Sequence, residues 1–229
     1  MVLLPSEGSS HNLQLLRDGQ ADVAFVQGGT AELQPDDPDN LVSLGSLFVE
    51  PLWLFYRTDA AERMHNAPRL DSLRQLRGWR VNVGSEGSGV PTLIERLLQA
   101  NKVEPGSVKL SRLEQTPATV EFLAGRLDAL VFASAPESLM VQMLLQTPGV
   151  QLLDFAQHEA YARRFPFLTP VTLPRGVVDL AANVPQRDVR LVATTTSLLA
   201  RDGTHPASPC LPRTPKSCTA AQAGSTGRV

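Results

Sequence analysis

Gly84, Ser85, Gly87, Ser88, Gly89 and Thr92 fall within nine residues, and their types suit one task, holding an anion. Val81 and Val83 alternate with polar neighbours, which predicts a short strand just before the glycines. Val90, Leu93, Ile94, Leu97 and Leu98 follow at helical spacing and predict an amphipathic helix. Pro91 fits only a first turn, so that helix begins near Ser88 or Gly89, with Ser88 as candidate N-cap. Strand, glycine loop and helix start together aim free N–H groups and the positive end of a helix dipole at one point. The competing reading is a tight turn whose glycines serve geometry alone.

The named motifs fail at this loop. A P-loop needs Lys after Gly89, where Val90 stands. A dinucleotide fingerprint starting at Gly87 needs glycine where Thr92 stands. A nucleophile elbow around Ser88 needs glycines where Glu86 and Val90 stand. Glu86 and His11 are the only tempting acid–base pair nearby, and no second base or cofactor motif supports them. His11, His65, His158 and His205 are scattered without ligand spacing, so neither a metal nor a cofactor is expected. Hydroxyls and amides without a base–nucleophile pair suit reversible capture, not catalysis.

A length of 229 residues allows one large or two small domains. A net charge of −2 and a pI near 6.1 indicate neither nucleic acid nor a membrane surface as partner. Aromatic residues make up only 5 % while Leu, Val and Ala dominate, which favours α/β layers over a sandwich. Both cysteines, Cys210 and Cys218, lie in a closing stretch rich in Pro, Ser, Thr and Ala, expected to be disordered over residues 208–229. The first residues show no basic region followed by an apolar run, so the chain is either cytoplasmic or begins inside a longer one. No stretch has the length of a membrane span.

The elements that must position the loop read as strands alternating with helices, which predicts a mostly parallel α/β sheet. Residues 2–4 read as a strand stub, residues 13–16 as a helix closed by Gly19, and residues 41–57 as two strand segments interrupted at Glu50 and Pro51. Trp53 and Tyr56 read as core or hinge packing. One pattern occurs twice: helix, glycine, two residues, aspartate, buried strand. It runs through Gly19 and Asp22 to Phe25, and through Gly125 and Asp128 to Phe132. Each copy lies downstream of a Gly/Ser loop at a helix start, residues 8–10 and 87–89. Any αβ unit could end this way. The sharper reading is two similar lobes, each offering a helix N-terminus to a shared cleft.

That arrangement resembles the TAXI-type solute receptors of tripartite ATP-independent periplasmic (TRAP) transporters, over about residues 6–206. The resemblance is carried by Glu7-Gly8-Ser9-Ser10-His11-Asn12-Leu13 running on to Gln27, by residues 81–89, by Gly125-Arg126-Leu127-Asp128-Ala129, and by Phe165-Pro166-Phe167 with Leu173-Pro174-Arg175-Gly176. It departs where Val177 and Val178 stand in place of the family's usual Tyr. The resemblance implies a type II periplasmic-binding-protein-like fold, with two α/β lobes and a cleft between them. Residues 1–56 and 166–207 would form lobe one and residues 57–165 lobe two, with crossings near residues 55–58 and 165–170. It implies a monomeric, periplasmic receptor without cofactor that captures a small carboxylate, such as a glutamate-like amino acid or dicarboxylate, for a TRAP-type membrane permease. Ser9, Ser10, Asn12 and Gln27 would approach the ligand from lobe one. Ser85, Gly87, Ser88, Gly89 and Thr92 would close from lobe two, with Ser134 and Pro136 on the rim. The same fold also serves as the effector-binding module of transcription regulators and as a scaffold for enzymes.

Overall fold

The computed structural model describes residues 2–30, 41–104 and 106–201. His205, both cysteines and the tail expected to be disordered lie outside the described residues.

The first unit is helix α1 (Ser9–Arg17) followed by strand β1 (Val23–Gln27). A 17-residue strand, β2 (Leu41–Arg57), leads to helix α2 (Thr58–His65) and a 3-10 turn at Leu73–Leu76. The second unit runs β3 (Arg80–Asn82), α3 (Val90–Ala100), β4 (Lys109–Ser111), α4 (Gln115–Leu123), β5 (Ala129–Ala133), α5 (Leu139–Gln146) and β6 (Val150–Leu152). Helix α6 (His158–Arg164) and strands β7 (Leu168–Leu173) and β8 (Val189–Arg201) complete the described chain. Residues 2–4 form no strand, and Val2 and Leu3 are more than four-fifths exposed.

The sheet order is β1-β8-β2-β5-β3-β4, with β6 beside β2 and β7 beside β8. The expectation of a mostly parallel sheet needs correction. Only β3–β4 and β3–β5 run parallel, while β2 and β8 pair antiparallel with every strand they touch. The βαβ alternation holds from β3 to β5, where helical crossovers return the chain in one direction. The long strands β2 and β8 run against it. Residues 41–57 are also one strand, not two. Its first part pairs with β8 as far as Pro51, and its second part pairs with β5 and β6 from Leu52 on. Pro51 has no N–H to give a ladder, and its carbonyl accepts from Ser134 (3.4 Å), so the partners change there without breaking the strand.

Both repeated units close their helix in the same way. Gly19 has φ +71°, its N–H donates to Leu16 (3.1 Å), and the Gln20 N–H donates to Leu15 (2.9 Å). Gly125 has φ +79°, its N–H donates to Phe122 (3.1 Å), and the Arg126 N–H donates to Glu121 (2.9 Å). This pair of bonds around a left-handed glycine satisfies the orphan carbonyls of the last turn. An arginine lies over each glycine: a Cβ would stand 3.0 Å from Arg201 Nη1 at Gly19, and 3.2 Å from Arg57 Nη1 at Gly125.

The core is uneven. One large cluster takes in Leu52 to Tyr56, Trp79, the apolar face of α3 and all but the end of β5. A small one gathers Leu13, Leu16, Val26, Leu41 and Leu199 between α1 and the first strands. Trp53 is fully buried, and its indole N–H donates to the Ser134 carbonyl at 2.9 Å.

Candidate functional site

The loops at the starts of α1 and α3 meet. Gly8 caps α1 and Gly89 caps α3, so the helix begins where the sequence placed it but Ser88 is not its N-cap. Both the amide (3.1 Å) and the hydroxyl (2.8 Å) of Ser88 turn back to the Ser85 carbonyl and brace the loop. Pro91 stands in the first turn of α3, where its missing N–H costs no helical bond.

Across this junction the amides of Ser10 (3.0 Å) and His11 (3.2 Å) both donate to the Gly87 carbonyl. The Ser10 hydroxyl donates to the Ser88 carbonyl at 2.8 Å. The first turn of α1 is thus filled by a neutral acceptor, the backbone oxygen of the other loop. The approach requires glycine at both ends. A Cβ at Gly87 would collide with the Glu7 side chain, and one at Gly8 would lie 3.0 Å from the Gly87 oxygen.

Gly89 faces two polar atoms, and a Cβ there would stand 2.5 Å from both Gln27 Oε1 and Thr30 Oγ1. Gln27 is buried at the end of β1. Its backbone N–H donates to Ser9 Oγ (3.0 Å) and its Nε2 donates to Thr194 Oγ1 (2.6 Å). The Thr30 hydroxyl oxygen is buried with no hydrogen-bond partner among the described residues. Thr196 Oγ1 lies two residues along β8 and donates to Glu50 at 2.7 Å.

Of the residues expected from sequence, Ser9, Ser10, Gln27, Gly87, Ser88 and Gly89 come together. Ser85 is in the same loop, spent on bracing Ser88. Asn12 instead donates from Nδ2 to the Phe25 carbonyl (2.8 Å) and ties α1 to β1. Thr92 lies in the first turn of α3, half-buried, and its hydroxyl makes no hydrogen bond among the described residues. Ser134 and Pro136 follow β5, where Ser134 meets Pro51 and Trp53 rather than the glycine loop. Thr30, Thr194 and Glu7 were not singled out in the sequence. Thr30 follows the Gly28-Gly29 pair, and Thr194 lies inside a run of threonines in an apolar strand, with no motif at either position.

The acid–base pair is not formed. Glu86 bonds Arg112 (2.9 Å), which also holds Glu95 (3.0 Å), and His11 Nδ1 accepts from the Glu7 N–H (3.2 Å). No group of three or more metal-ligating side chains lies together among the described residues. No helix among them is long and apolar enough to cross a membrane.

The family model of the NMT1-like family matches residues 3–206. The chain belongs to the NMT1-like family. Among solved structures this NMT1-like chain is similar to an ancestral arginine-binding protein bound to glutamine, at 15 % identity and a TM-score of 0.50, over 91 % of this chain and 69 % of the other. It is also similar to the effector binding domain of QuiR in complex with shikimate, at 12 % identity and a TM-score of 0.50, over 89 % of this chain and 74 % of the other. It spans 63 % of a further similar structure, an ancestral arginine-binding protein bound to arginine, at 14 % identity and a TM-score of 0.47. The NMT1-like chain thus has the α/β, type II periplasmic-binding-protein-like fold expected from its sequence.

Proposed function

We propose that this NMT1-like chain is an extracytoplasmic solute receptor, of the TAXI type that its motifs resemble. It captures a small carboxylate, a glutamate-like amino acid or a dicarboxylate, and passes it to a TRAP-type membrane permease. In this reading residues 1–56 and 166–207 act as one lobe and residues 57–165 as the other. The observation that carries the proposal is the buried Thr30 hydroxyl, unpartnered among the described residues and set with Gln27 Oε1 against Gly89 at the start of α3. A buried hydroxyl without a partner is costly unless a ligand supplies one.

The mechanism is an exchange of acceptors. In the present arrangement the Gly87 carbonyl occupies the amides of Ser10 and His11. An entering carboxylate takes those amides and displaces the neutral oxygen. Charge-assisted bonds are about twice as strong as neutral ones. The α1 dipole adds roughly 0.3–1 kcal/mol in favour of the anion. The Thr30 hydroxyl, Gln27 and the first turn of α3 then receive the polar end of the solute from the other side.

A second reading, an effector-binding module of a transcription regulator, is favoured by the QuiR-like structure at a TM-score of 0.50. It uses the same cleft. The genomic neighbourhood separates the two, since a receptor sits beside a polytopic permease gene and a regulator module is fused to a DNA-binding domain.

Calorimetry with L-glutamate, L-glutamine, succinate and malate tests the cleft. One of them is expected to bind saturably. Thr30→Val and Ser10→Ala should each weaken it about tenfold, which is about 1.4 kcal/mol. Gly89→Asp should abolish binding, by collision with Gln27 and Thr30 and by repulsion of the anion. Saturable binding that Thr30→Val and Gly89→Asp both leave unchanged would place the ligand elsewhere.

A further inference from the structure

A second concavity lies away from the glycine loops. It is a groove of about 670 Å³ between the α5–β6 connection and the turn that enters β8. Its lining includes Leu145, Val150, Val184 and Pro185, each partly exposed, which give it an apolar floor. Two arginines from distant parts of the chain also line it, Arg69 and Arg187. Among the described residues neither guanidinium makes a hydrogen bond or an ion pair. Arg69 enters from the stretch before the 3-10 turn, and Arg187 from the turn that enters β8.

The acids nearby are largely engaged. Asp154 receives Arg190 through Nε (3.0 Å) and Nη2 (2.7 Å), which holds its carboxyl below the ordinary range. Asp179, on the groove wall, accepts the Ala182 N–H at 2.9 Å. The charge of Arg187 helps to hold Asp154 low as well. The groove therefore pairs an apolar floor with two guanidinium forks that make no hydrogen bond among the described residues. A guanidinium matches the geometry of a carboxylate in a bidentate way. A volume between about 300 and 1,000 Å³ is that of a small-molecule site. Inorganic anions would leave the floor wet.

We propose that this groove is a second binding site, for an organic monocarboxylate with an apolar body, its chain laid over Leu145, Val150 and Pro185 and its carboxylate held by Arg69 and Arg187. The site is independent of the cleft at Gly89 and uses none of its residues.

Isothermal titration of the full chain with octanoate, 1-octanol and inorganic phosphate tests this. Octanoate is expected to bind saturably and the other two to give no binding heat. Replacing both arginines (Arg69→Gln with Arg187→Gln) should weaken octanoate at least tenfold while the melting temperature stays put. Ser10→Ala, in the other cleft, should leave octanoate affinity unchanged. Amide shifts on octanoate addition should centre on Val150, Leu152 and Val189. The proposal is overturned if octanoate shows no saturation up to about 10 mM, a Kd weaker than roughly −3 kcal/mol of binding. It is equally overturned if the double glutamine variant binds octanoate as the parent does, or if phosphate competes with octanoate for the groove at equal concentration.

Discussion

Phe25 in β1 and Val131 in β5 occupy the same place in the two repeated units, yet Phe25 is 51 % exposed and Val131 is wholly buried. Strand β5 lies between β2 and β3, with α3 and α4 contributing to the cluster around it. Among the described residues β1 pairs with β8 alone, and α1 covers the face bearing Ala24 and Val26. The other face carries Phe25 with Phe48 6.3 Å from it, and both remain about half exposed. The aspartates differ in the same sense. The Asp128 side chain is 7 % exposed and receives Arg63 (2.8 Å), the Arg80 guanidinium (2.7 Å) and the Arg80 backbone N–H (2.9 Å). Asp22 is 76 % exposed, with Arg201 3.3 Å away. The same local pattern therefore fixes the helix end and strand start in both places. How much energy each holds is decided by what covers it.

The sharpest contrast is a charge placed on each strand. Val131→Asp should cost more than about 4 kcal/mol and leave no cooperative melting transition, because an unpaired charge would sit in the large core. Phe25→Asp should change stability by less than about 1 kcal/mol. Equal losses in thermal or urea melts would mean that the two strands are equivalently packed, and the comparison would fail.

Next comes the aspartate pair. Asp128→Ala should cost about 2–3 kcal/mol, since it removes a buried acceptor from two partly exposed arginines and a backbone N–H. Asp22→Ala should cost under about 0.5 kcal/mol, as exposed ion pairs do. The acid limb adds a signature. Burial raises the Asp128 carboxyl, but the hydrogen bonds from Arg80 and the charges of Arg80 and Arg63 outweigh it and hold it below the ordinary 3.8. A carboxyl lowered on folding stabilises fully above its unfolded value, and that stability is lost as pH falls through the folded one. The gap between parent and Asp128→Asn should therefore narrow as melts are run from pH 6 to below about pH 4. A gap independent of pH would assign the loss to shape rather than charge.

The smallest difference between the units should come at the glycines that close their helices. Gly19→Ala and Gly125→Ala each force a left-handed residue next to an arginine and should each cost about 1–2 kcal/mol. A large difference between them would show that Arg57 and Arg201 yield unequally.

Much of this was legible from residue types, because turns and helix ends are decided locally. Gly19 and Gly125 announced their caps, Pro91 marked the start of α3, and the valines around Asn82 marked β3. Strand partners were not legible. Nothing local at Pro51 distinguishes a break from a change of neighbour, and the antiparallel pairing of β2 with β8 joins residues some 150 positions apart. At the site, the glycine–serine loop at residues 84–89 led to the expectation of anion binding, and the family resemblance added Ser9, Ser10 and Gln27. That the Gly87 oxygen fills the α1 terminus depends on how the two loops meet. Thr30 was missed for the same reason, since its isolation is a property of its surroundings.

The reach of β8 has a consequence for how the molecule is made. Val23 pairs with Ala200, so the first strand has no described ladder partner until the last one has left the ribosome. At about 5–20 residues per second, the interval is on the order of ten to thirty seconds. The middle of the chain, β3 to β5 with its own helices, can close on itself in that time, while the N-terminal unit waits with Phe25 uncovered. Whether the chain emerges from a ribosome or from an export channel, β1 is the strand that waits longest for its partner.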